Sequence, residues 1–163
     1  LFGPGGMGYG DADDNTILPT NSQTVYMRHA FNIVDTAQID QLLLAMDYDD
    51  GFAVYLNGVE IARNGLNPNP AWNDFASIDH EALMYQNVVP EYFNVPQGIL
   101  LNGNNVLAVE VHNYSATSSD LSARPFLLAG IDNPAQNYSP IPVWFQPPFV
   151  LQSNLPLMWI HTN

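Results

Sequence analysis

Short runs of aspartate are the residues of this chain whose type and spacing are best suited to chemistry. Asp11, Asp13 and Asp14 lie in the Gly-flanked segment GYGDADDNT. Alternating carboxylates offer hard oxygen ligands at the spacing of a Ca²⁺-binding loop, and Ca²⁺ takes about 6–8 oxygens. The later Gly and Glu of an EF-hand are absent, which excludes that class. The alternative is that these side chains cap turn amides, and the spacing leaves both interpretations open.

A second acidic cluster, Asp47, Asp49 and Asp50, lies in the segment DYDDG. Like charges so close together repel one another, so a cation or several backbone amides must offset them. Arg28 or Arg63 is a candidate counter-ion through a bidentate pair with one carboxylate, and a bound metal or ligand is the other candidate. We expect a structural Asp–Arg or Asp–amide network, and we keep Arg28, Asp49 and Asp50 as candidate ligand-binding residues.

Aromatic side chains are concentrated in the polar segment 64–94, which has little periodicity and is predicted to be a long loop with a short helical piece near 80–85. An exposed aromatic ring can stack on the apolar face of a sugar, while nearby polar groups bind its hydroxyls. Trp72 is the best candidate for such a platform. The remaining aromatic residues are expected to cover the edge of the fold: Phe75, Tyr85, Tyr92 and Phe93.

The residues that suggest an enzyme do not form a convincing constellation. His112 is followed by Ser118, Ser119 and Asp120, but no nucleophile elbow or oxyanion-hole loop accompanies them. We expect His112 to hydrogen-bond Asp120 and so pin the intervening loop. The histidines lack the spacing of a zinc site, and the absence of Cys excludes disulfides and thiolate chemistry. The sequence therefore predicts a protein that is not an enzyme.

Charge narrows the range of partners. The chain has 3 Arg, no Lys and 16 acidic residues, for a net charge of −13. A surface this negative repels phosphate backbones and anionic head groups, which argues against nucleic-acid binding and electrostatic membrane docking. No apolar run reaches the ~18 residues that would predict membrane insertion.

The elements that must position these residues are predicted to be strands. A chain of 163 residues with 13 Pro and 11 Gly between apolar runs is typical of one domain of short strands and tight turns. Residues 1–23 are predicted to contain no strand. Two successive hairpins are predicted between about 39 and 63, the first turning at DDG and the second at Asn57-Gly58, where both turn residues must accept positive φ. Further strands are predicted over 24–33, over 105–114 and over 126–131.

This pattern predicts an all-β fold, a two-sheet antiparallel jelly-roll β-sandwich. The module is expected to span residues 1–132 and a Pro-rich linker 133–149. Residues 150–163, with the ending SNLPLMWIHTN, are expected to start a following domain or to form a terminal pairing strand. Both ends are interpreted as cut from something larger.

Several segments in combination carry a family resemblance: GYGDADDNT, TVYMRHAF, DYDDGFAVYLNGVEIARN, NGNNVLAVEVHNYSATSSDL and SNLPLMWIHTN. Between about 8 and 131 the chain resembles a galactose-binding-like jelly-roll module of large secreted bacterial proteins. Such modules lie beside CotH-like kinase, lamin-tail-like, phosphoesterase or glycoside hydrolase domains. The resemblance implies the fold, an extracellular or cell-surface location and a structural Ca²⁺ of the kind that galactose-binding-like domains often carry.

The function expected on this basis is a non-catalytic carbohydrate-binding or adhesion accessory module, with a glycan or neighbouring protein domains as its partners. A rival expectation is a structural spacer or assembly subunit of an extracellular surface filament. In that case copies of the chain would exchange their terminal strands, because unpaired edge strands readily accept a strand from another chain.

Overall fold

A computed structural model describes residues 3–131, 143–145 and, for the backbone, 157–160. The described part is built from strands and three short 3₁₀ turns at Thr36–Gln38, Met84–Gln86 and Gln97–Ile99. The strands, numbered in chain order, are β1 Met7–Tyr9, β2 Thr16–Ile17, β3 Thr24–Ile33, β4 Ile39–Asp49, β5 Gly51–Leu56, β6 Val59–Asn64, β7 Glu91–Val95, β8 Gly103–His112, β9 Leu121–Ile131 and β10 Leu157–Ile160.

The strands form two sheets, which confirms the predicted all-β sandwich. One sheet has the order β2-β1-β9-β4-β7, with β10 also pairing with β9, and we call it sheet A. The other, sheet B, has the order β3-β8-β5-β6. All pairs are antiparallel except β1 with β2.

The core lies between the sheets, where inward-facing side chains of both meet. Phe52 on β5 is completely buried and contacts rings from sheet A, with centroid distances of 4.4 Å to Tyr48 on β4 and 5.3 Å to Phe93 on β7. Leu44 and Val109 belong to the same cluster, one from each sheet. Burial of such side chains is the main force that holds two sheets together.

The DDG segment is not the hairpin that the sequence predicts. β4 ends at Asp49 and β5 begins at Gly51, yet β4 pairs with β7 and β9 in sheet A, whereas β5 pairs with β6 and β8 in sheet B. The chain therefore crosses from one sheet to the other at Asp50. Gly51 is required here because a Cβ at this position would meet the side chain of Ala76 and the backbone of Gly65.

The second predicted hairpin is confirmed. β5 and β6 pair across Asn57 and Gly58, whose φ values are +54° and +82°. The Asn57 side chain also ties the hairpin to β8, because its Nδ2 donates to Asn105 Oδ1 at 2.8 Å and its Oδ1 accepts from the Val106 amide at 2.9 Å. The turn residues thus set both the local conformation and the position of the hairpin in the sheet.

The prediction that residues 1–23 contain no strand is wrong. β1 pairs with the start of β9, and β2 pairs with β1. Gly8 permits this pairing because a Cβ there would collide with the carbonyl oxygen of Leu121 and the carboxylate of Asp14. The N-terminal segment is therefore the edge of sheet A.

The long loop predicted over 64–94 also needs correction at its end. Residues from Glu91 onward form β7, which pairs with β4 from Leu42 to Met46. Phe93 faces the core, as expected of a strand residue that alternates with Asn94. The predicted short helical piece corresponds to the 3₁₀ turn Met84–Gln86.

Sheet A is covered on its outer face as well. Leu43, Ala45 and Leu128 are buried there against Trp144 and Phe145, two residues of the segment predicted to be a linker. The Trp144 ring lies 4.7 Å from the ring of Phe126. This part of the Pro-rich segment therefore packs onto the sandwich.

The terminal strand β10 pairs with β9 from Leu127 to Gly130, beyond the part of β9 that pairs with β1. The terminal segment was expected to start a new domain or to form a pairing strand. β10 forms such a pair, and its partner β9 belongs to the same chain. The remainder of the segments 133–149 and 150–163 lies outside the described residues. Among the described residues there is no helix long and apolar enough to span a bilayer.

Candidate functional site

The outer face of sheet B carries exposed polar and aromatic side chains. In β3, Val25 and Met27 point into the core, so the alternate residues Tyr26 and Arg28 point outward. The register places Tyr26 opposite Glu110 of β8. Arg28 lies opposite Ala108, which is in turn opposite Tyr55 of β5. Outward-facing residues of three adjacent strands are thereby brought together; we call them the sheet B face: Tyr26, Arg28, Tyr55, Ala108 and Glu110.

An open groove of about 450 Å³ runs over this face and is lined by the sheet B face residues together with Met27 and Val109. The small Ala108 lies between Arg28 and Tyr55 in register, while Tyr26 is opposite Glu110, so the two tyrosines lie diagonally across β8. Tyr26 is 57% exposed. Aromatic rings flanking a floor of small residues suit a flat ligand with an apolar side.

Glu110 is the buried polar group of the groove, 7% exposed. Its Oε1 accepts a hydrogen bond from the Tyr55 hydroxyl at 3.0 Å. Its Oε2 lies 3.6 Å from His112 Nε2, which is buried without a hydrogen-bond partner among the described residues. The carboxylate is therefore held at a fixed position beside the two tyrosines.

The predicted contact between His112 and Asp120 is wrong. His112 Nδ1 lies 2.7 Å from the Asp74 carbonyl oxygen and 3.3 Å from Thr24 Oγ1, and Asp120 lies elsewhere. The loop that His112 pins is 71–76 and not 115–122. Thr24 Oγ1 donates to the Trp72 carbonyl at 2.8 Å, so the backbone of this loop is fixed at the end of β3.

The Trp72 backbone therefore lies beside Thr24, which is two positions from Tyr26 along β3, and the Trp72 side chain is 72% exposed. Trp72 does not line the groove itself. Among the predicted ligand-binding residues, Arg28 and Trp72 lie on or beside one surface, and no hydrogen bond or ion pair joins the Arg28 guanidinium to another described residue.

Asp49 and Asp50, the other predicted ligand-binding residues, lie away from this groove. Asp50 is buried, and its two oxygens accept hydrogen bonds from the amides of His80 at 2.8 Å and Tyr114 at 2.7 Å. Asp47 is likewise buried, and its Oδ1 accepts from the Leu83 amide at 2.6 Å. The structure thus contains an Asp–amide network at this position.

Neither of the arginines proposed as counter-ions reaches these aspartates. Arg63 forms an ion pair with Glu60 at 2.6 Å, and Arg28 lies on the sheet B face. Because that pair is local and partly exposed, it contributes little stability. The pKa of Glu60 is lowered by the hydrogen bond from Arg63.

The predicted metal ligands Asp11, Asp13 and Asp14 have separate partners. Asp11 Oδ2 accepts from Ser122 Oγ at 3.1 Å, and Asp13 Oδ2 lies 3.3 Å from Arg124 Nη1. One buried oxygen of Asp13 and one of Asp14 have no hydrogen-bond partner among the described residues. Burial, followed by the Asp13 charge, raises the pKa of Asp14 to about 7.

A different set of carboxylates is brought together by the fold. Asp49, Glu81 and Asp120 each place one oxygen so that all three oxygens lie within 4.8 Å of one another. They come from the end of β4, from the segment before β7 and from the loop before β9. We call this set the acidic triad.

The sequence contained a signal for only some of these residues. Strand alternation in TVYMRHAF and NVLAVEVH places Tyr26, Arg28 and Glu110 opposite the core residues of their own strands, so their position on the outer side of each strand was predictable. Glu81 and Asp120 lie in segments without periodicity. Nothing in their spacing to Asp49 indicates that they meet.

Comparison with known proteins gives a fold and no family. No protein-family model matches the chain, and no curated protein matches it. A segment of each of three solved α-L-rhamnosidase structures resembles most of this chain. The enzyme from Dictyoglumus thermophilum matches at 13% identity and a TM-score of 0.51, covering 86% of this chain and 12% of that one.

The other two are more distant in structure. The enzyme from Streptomyces avermitilis, solved with L-rhamnose, has 22% identity and a TM-score of 0.46 over 83% of this chain and 12% of its own. The enzyme from Aspergillus terreus has 14% identity and a TM-score of 0.45 over 67% and 12%. The chain thus spans about 12% of the length of these enzymes and is a β-sandwich similar in fold to a segment of the Dictyoglumus thermophilum rhamnosidase.

Proposed function

We propose that this chain is a non-catalytic carbohydrate-binding module of a secreted or cell-surface multidomain protein, and that it binds glycan in the groove of the sheet B face. The observation that carries the proposal is the placement of Tyr26 on β3 and Tyr55 on β5, diagonally across β8, with the buried Glu110 of β8 beside them. The shared fold with a rhamnosidase segment accords with this proposal but does not carry it.

The chemistry of the groove suits a sugar. A pyranose has an apolar C–H side and a rim of hydroxyls, and an aromatic ring packs against the first while charged groups bind the second. Glu110 accepts hydrogen bonds from hydroxyls, and Arg28 donates them. Since the carboxylate is already held by Tyr55 at 3.0 Å, little ordering is required when a ligand binds.

The carboxylates Glu60 and Glu110 on the outer side of sheet B do not support glycoside hydrolysis at the groove. Glycoside hydrolysis requires a pair of carboxyl groups, one of which acts as an acid with a raised pKa. Glu60, opposite Tyr55 in register, has its pKa lowered by Arg63 and so is unsuited to that role. Glu110 alone does not supply the pair.

One observation bears on the alternative function, a subunit that assembles by strand exchange. β10 pairs with β9 inside the same chain, so the terminal strand already has a partner. Exchange between copies would require that pairing to open and reform in another molecule. The groove proposal needs no such rearrangement.

The first prediction is that the protein binds a subset of neutral glycans on an array, and that Tyr26→Ala and Glu110→Gln each lower affinity at least tenfold. Loss of a stacking ring with its buried area, or of a charged hydrogen-bond acceptor, costs about 1.5–3 kcal/mol, which exceeds the ~1.4 kcal/mol of a tenfold change. Titration calorimetry with the best glycan measures the affinities.

The matched control is Ile17→Ala, which removes an exposed apolar side chain from β2 in the other sheet. It is expected to leave the affinity unchanged. Glycan binding that survives both groove substitutions would contradict the proposal, as would the absence of binding to any neutral glycan. If no glycan binds and the protein instead assembles in a concentration-dependent way, the strand-exchange alternative is favoured.

A further inference from the structure

The acidic triad brings three carboxylates together from parts of the chain that are distant in sequence. Asp49 ends β4, Glu81 lies in the segment before β7, and Asp120 immediately precedes β9. Gly10 allows the N-terminal loop to approach the same place, because it has a φ of +110° and a Cβ there would collide with Asp120. Four segments therefore meet at one end of the sandwich.

Asp49 is the member of the triad that needs a partner. It is 2% exposed, and its Oδ1 has no hydrogen-bond partner among the described residues. Burial, followed by the charges of Asp50, Asp120 and Glu81, raises the pKa of this carboxyl to about 9. A buried oxygen without a hydrogen bond is costly, and a buried charge without a counter-ion is more so.

The protein has no side-chain cation of its own for this position. All three arginines lie in the described part of the chain, and none is at the triad. Arg28 is on the sheet B face, and Arg63 pairs with Glu60. Arg124 contacts both the carboxylate and the backbone carbonyl of Asp13. The chain has no Lys. The compensating charge must therefore be a proton or a bound ion.

We propose that Asp49, Glu81 and Asp120 bind a hard divalent cation, with Ca²⁺ the best fit. Three carboxylates offer up to about six oxygens, and Ca²⁺ accepts irregular sets of about 6–8 that include water. Mg²⁺ prefers fewer protein ligands in a strict octahedron. Zn²⁺ prefers His or Cys, and the triad has neither.

Asp11 interacts with Asp120 but is not one of the three residues whose oxygens meet. Its Oδ2 is held by Ser122 at 3.1 Å, and its pKa is raised to about 6, first by burial and also through Asp120. The ion site therefore lies beside one of the three aspartates that the sequence suggested, while Asp13 pairs with Arg124. Binding at this position connects the N-terminal loop to the loop before β9 and to the segment before β7.

The test compares thermal unfolding in EDTA and in CaCl₂. With Ca²⁺ at about 100 times its dissociation constant, the midpoint is expected to rise by about 5–10 °C. Glu81→Gln and Asp120→Asn are expected to reduce the Ca²⁺ affinity at least tenfold in calorimetry. Both residues are at least partly exposed, so these variants should fold.

Asp49→Asn provides a sharper signature. Since it removes the unpaired buried charge, this variant is expected to be at least as stable as the parent in EDTA but to gain no stability from Ca²⁺. Asp40→Asn is the matched control: Asp40 is an exposed residue near the other end of β4, and its substitution is expected to keep the full Ca²⁺ shift.

Terbium luminescence gives an independent readout. Tyr85 donates to Glu81 Oε2 at 2.7 Å, so its ring should sensitise Tb³⁺ bound at the triad, and Ca²⁺ should displace that signal. The proposal is overturned if millimolar Ca²⁺ changes neither the midpoint nor the calorimetric heat. It is also overturned if Asp13→Asn abolishes Ca²⁺ binding while Asp120→Asn does not. Glycan binding measured in EDTA tests the proposed function separately.

Discussion

Replacing Asp50 by Ala is expected to lower the free energy of unfolding by about 3 kcal/mol. The carboxylate accepts hydrogen bonds from the amides of His80 at 2.8 Å and Tyr114 at 2.7 Å, and it is buried where the chain crosses between the sheets. Without it, two amides remain inside the protein with no acceptor, and each lost bond to a charged group costs about 1.5–3 kcal/mol. Urea unfolding in EDTA measures the change without any contribution from bound metal.

Two further variants show whether the hydrogen bonds are the cause. Asp50→Asn retains one acceptor oxygen, so about half of the loss is expected. Asp40→Ala, an exposed position on β4, should change stability by less than about 0.5 kcal/mol. If Asp50→Ala were as mild as Asp40→Ala, the amide network would not hold the 77–90 segment and the 113–120 loop in place.

Phe52→Ala is the second substitution with a large expected effect, about 3–5 kcal/mol of lost stability. Phe52 lies on sheet B and contacts Tyr48 and Phe93 on sheet A, at centroid distances of 4.4 Å and 5.3 Å. Its removal leaves a cavity between the sheets where no other side chain is free to collapse, because its neighbours are themselves held in strands. Urea unfolding in EDTA also measures this loss of stability.

Phe52→Leu conserves much of the volume and is expected to cost less than about 1.5 kcal/mol. Phe75→Ala, which truncates a partly exposed ring in the loop at residues 71–76, serves as the control and should be close to neutral. A result in which Phe52→Ala and Phe75→Ala cost the same would show that the two sheets do not pack through this ring.

The longer strands were predictable because they carry enough residues for alternation to be recognised. β3 and β8 have 10 residues each, and their inward residues alternate with outward ones over most of that length. β1 and β2 have 3 and 2 residues, too few for any period to be detected. They exist because Gly8 lets the backbone approach β9, which is a tertiary effect and not a local preference.

The crossing at Asp50 shows a second reason why the fold was not fully predictable from the sequence. A polar Gly-containing turn between two apolar runs is what a hairpin requires, and the same residues serve when the chain passes from one sheet to the other. The difference lies in β4, which is buried on both faces because Trp144 and Phe145 cover its outer side. The covering segment is about 100 residues away in sequence, so no local pattern indicates it.

The candidate site was predictable in its parts and not in its assembly. Arg28 and Trp72 were expected to bind ligand, but their neighbours Tyr55 and Glu110 join them only because β8 lies between β3 and β5. The acidic triad depends in the same way on contacts between segments that have no shared pattern. Strand order and loop placement decide both sites, and they result from packing over the whole domain.

The most direct test of the carbohydrate-binding proposal is a titration of ¹⁵N-labelled protein with its best array glycan, followed by amide chemical shifts. Saturable shifts are expected in β3, β5 and β8 around Tyr26, Tyr55 and Glu110, with a smaller change at Trp72. Shifts confined to sheet A or to the end of the sandwich near Asp49 would contradict the assignment of the groove as the binding surface.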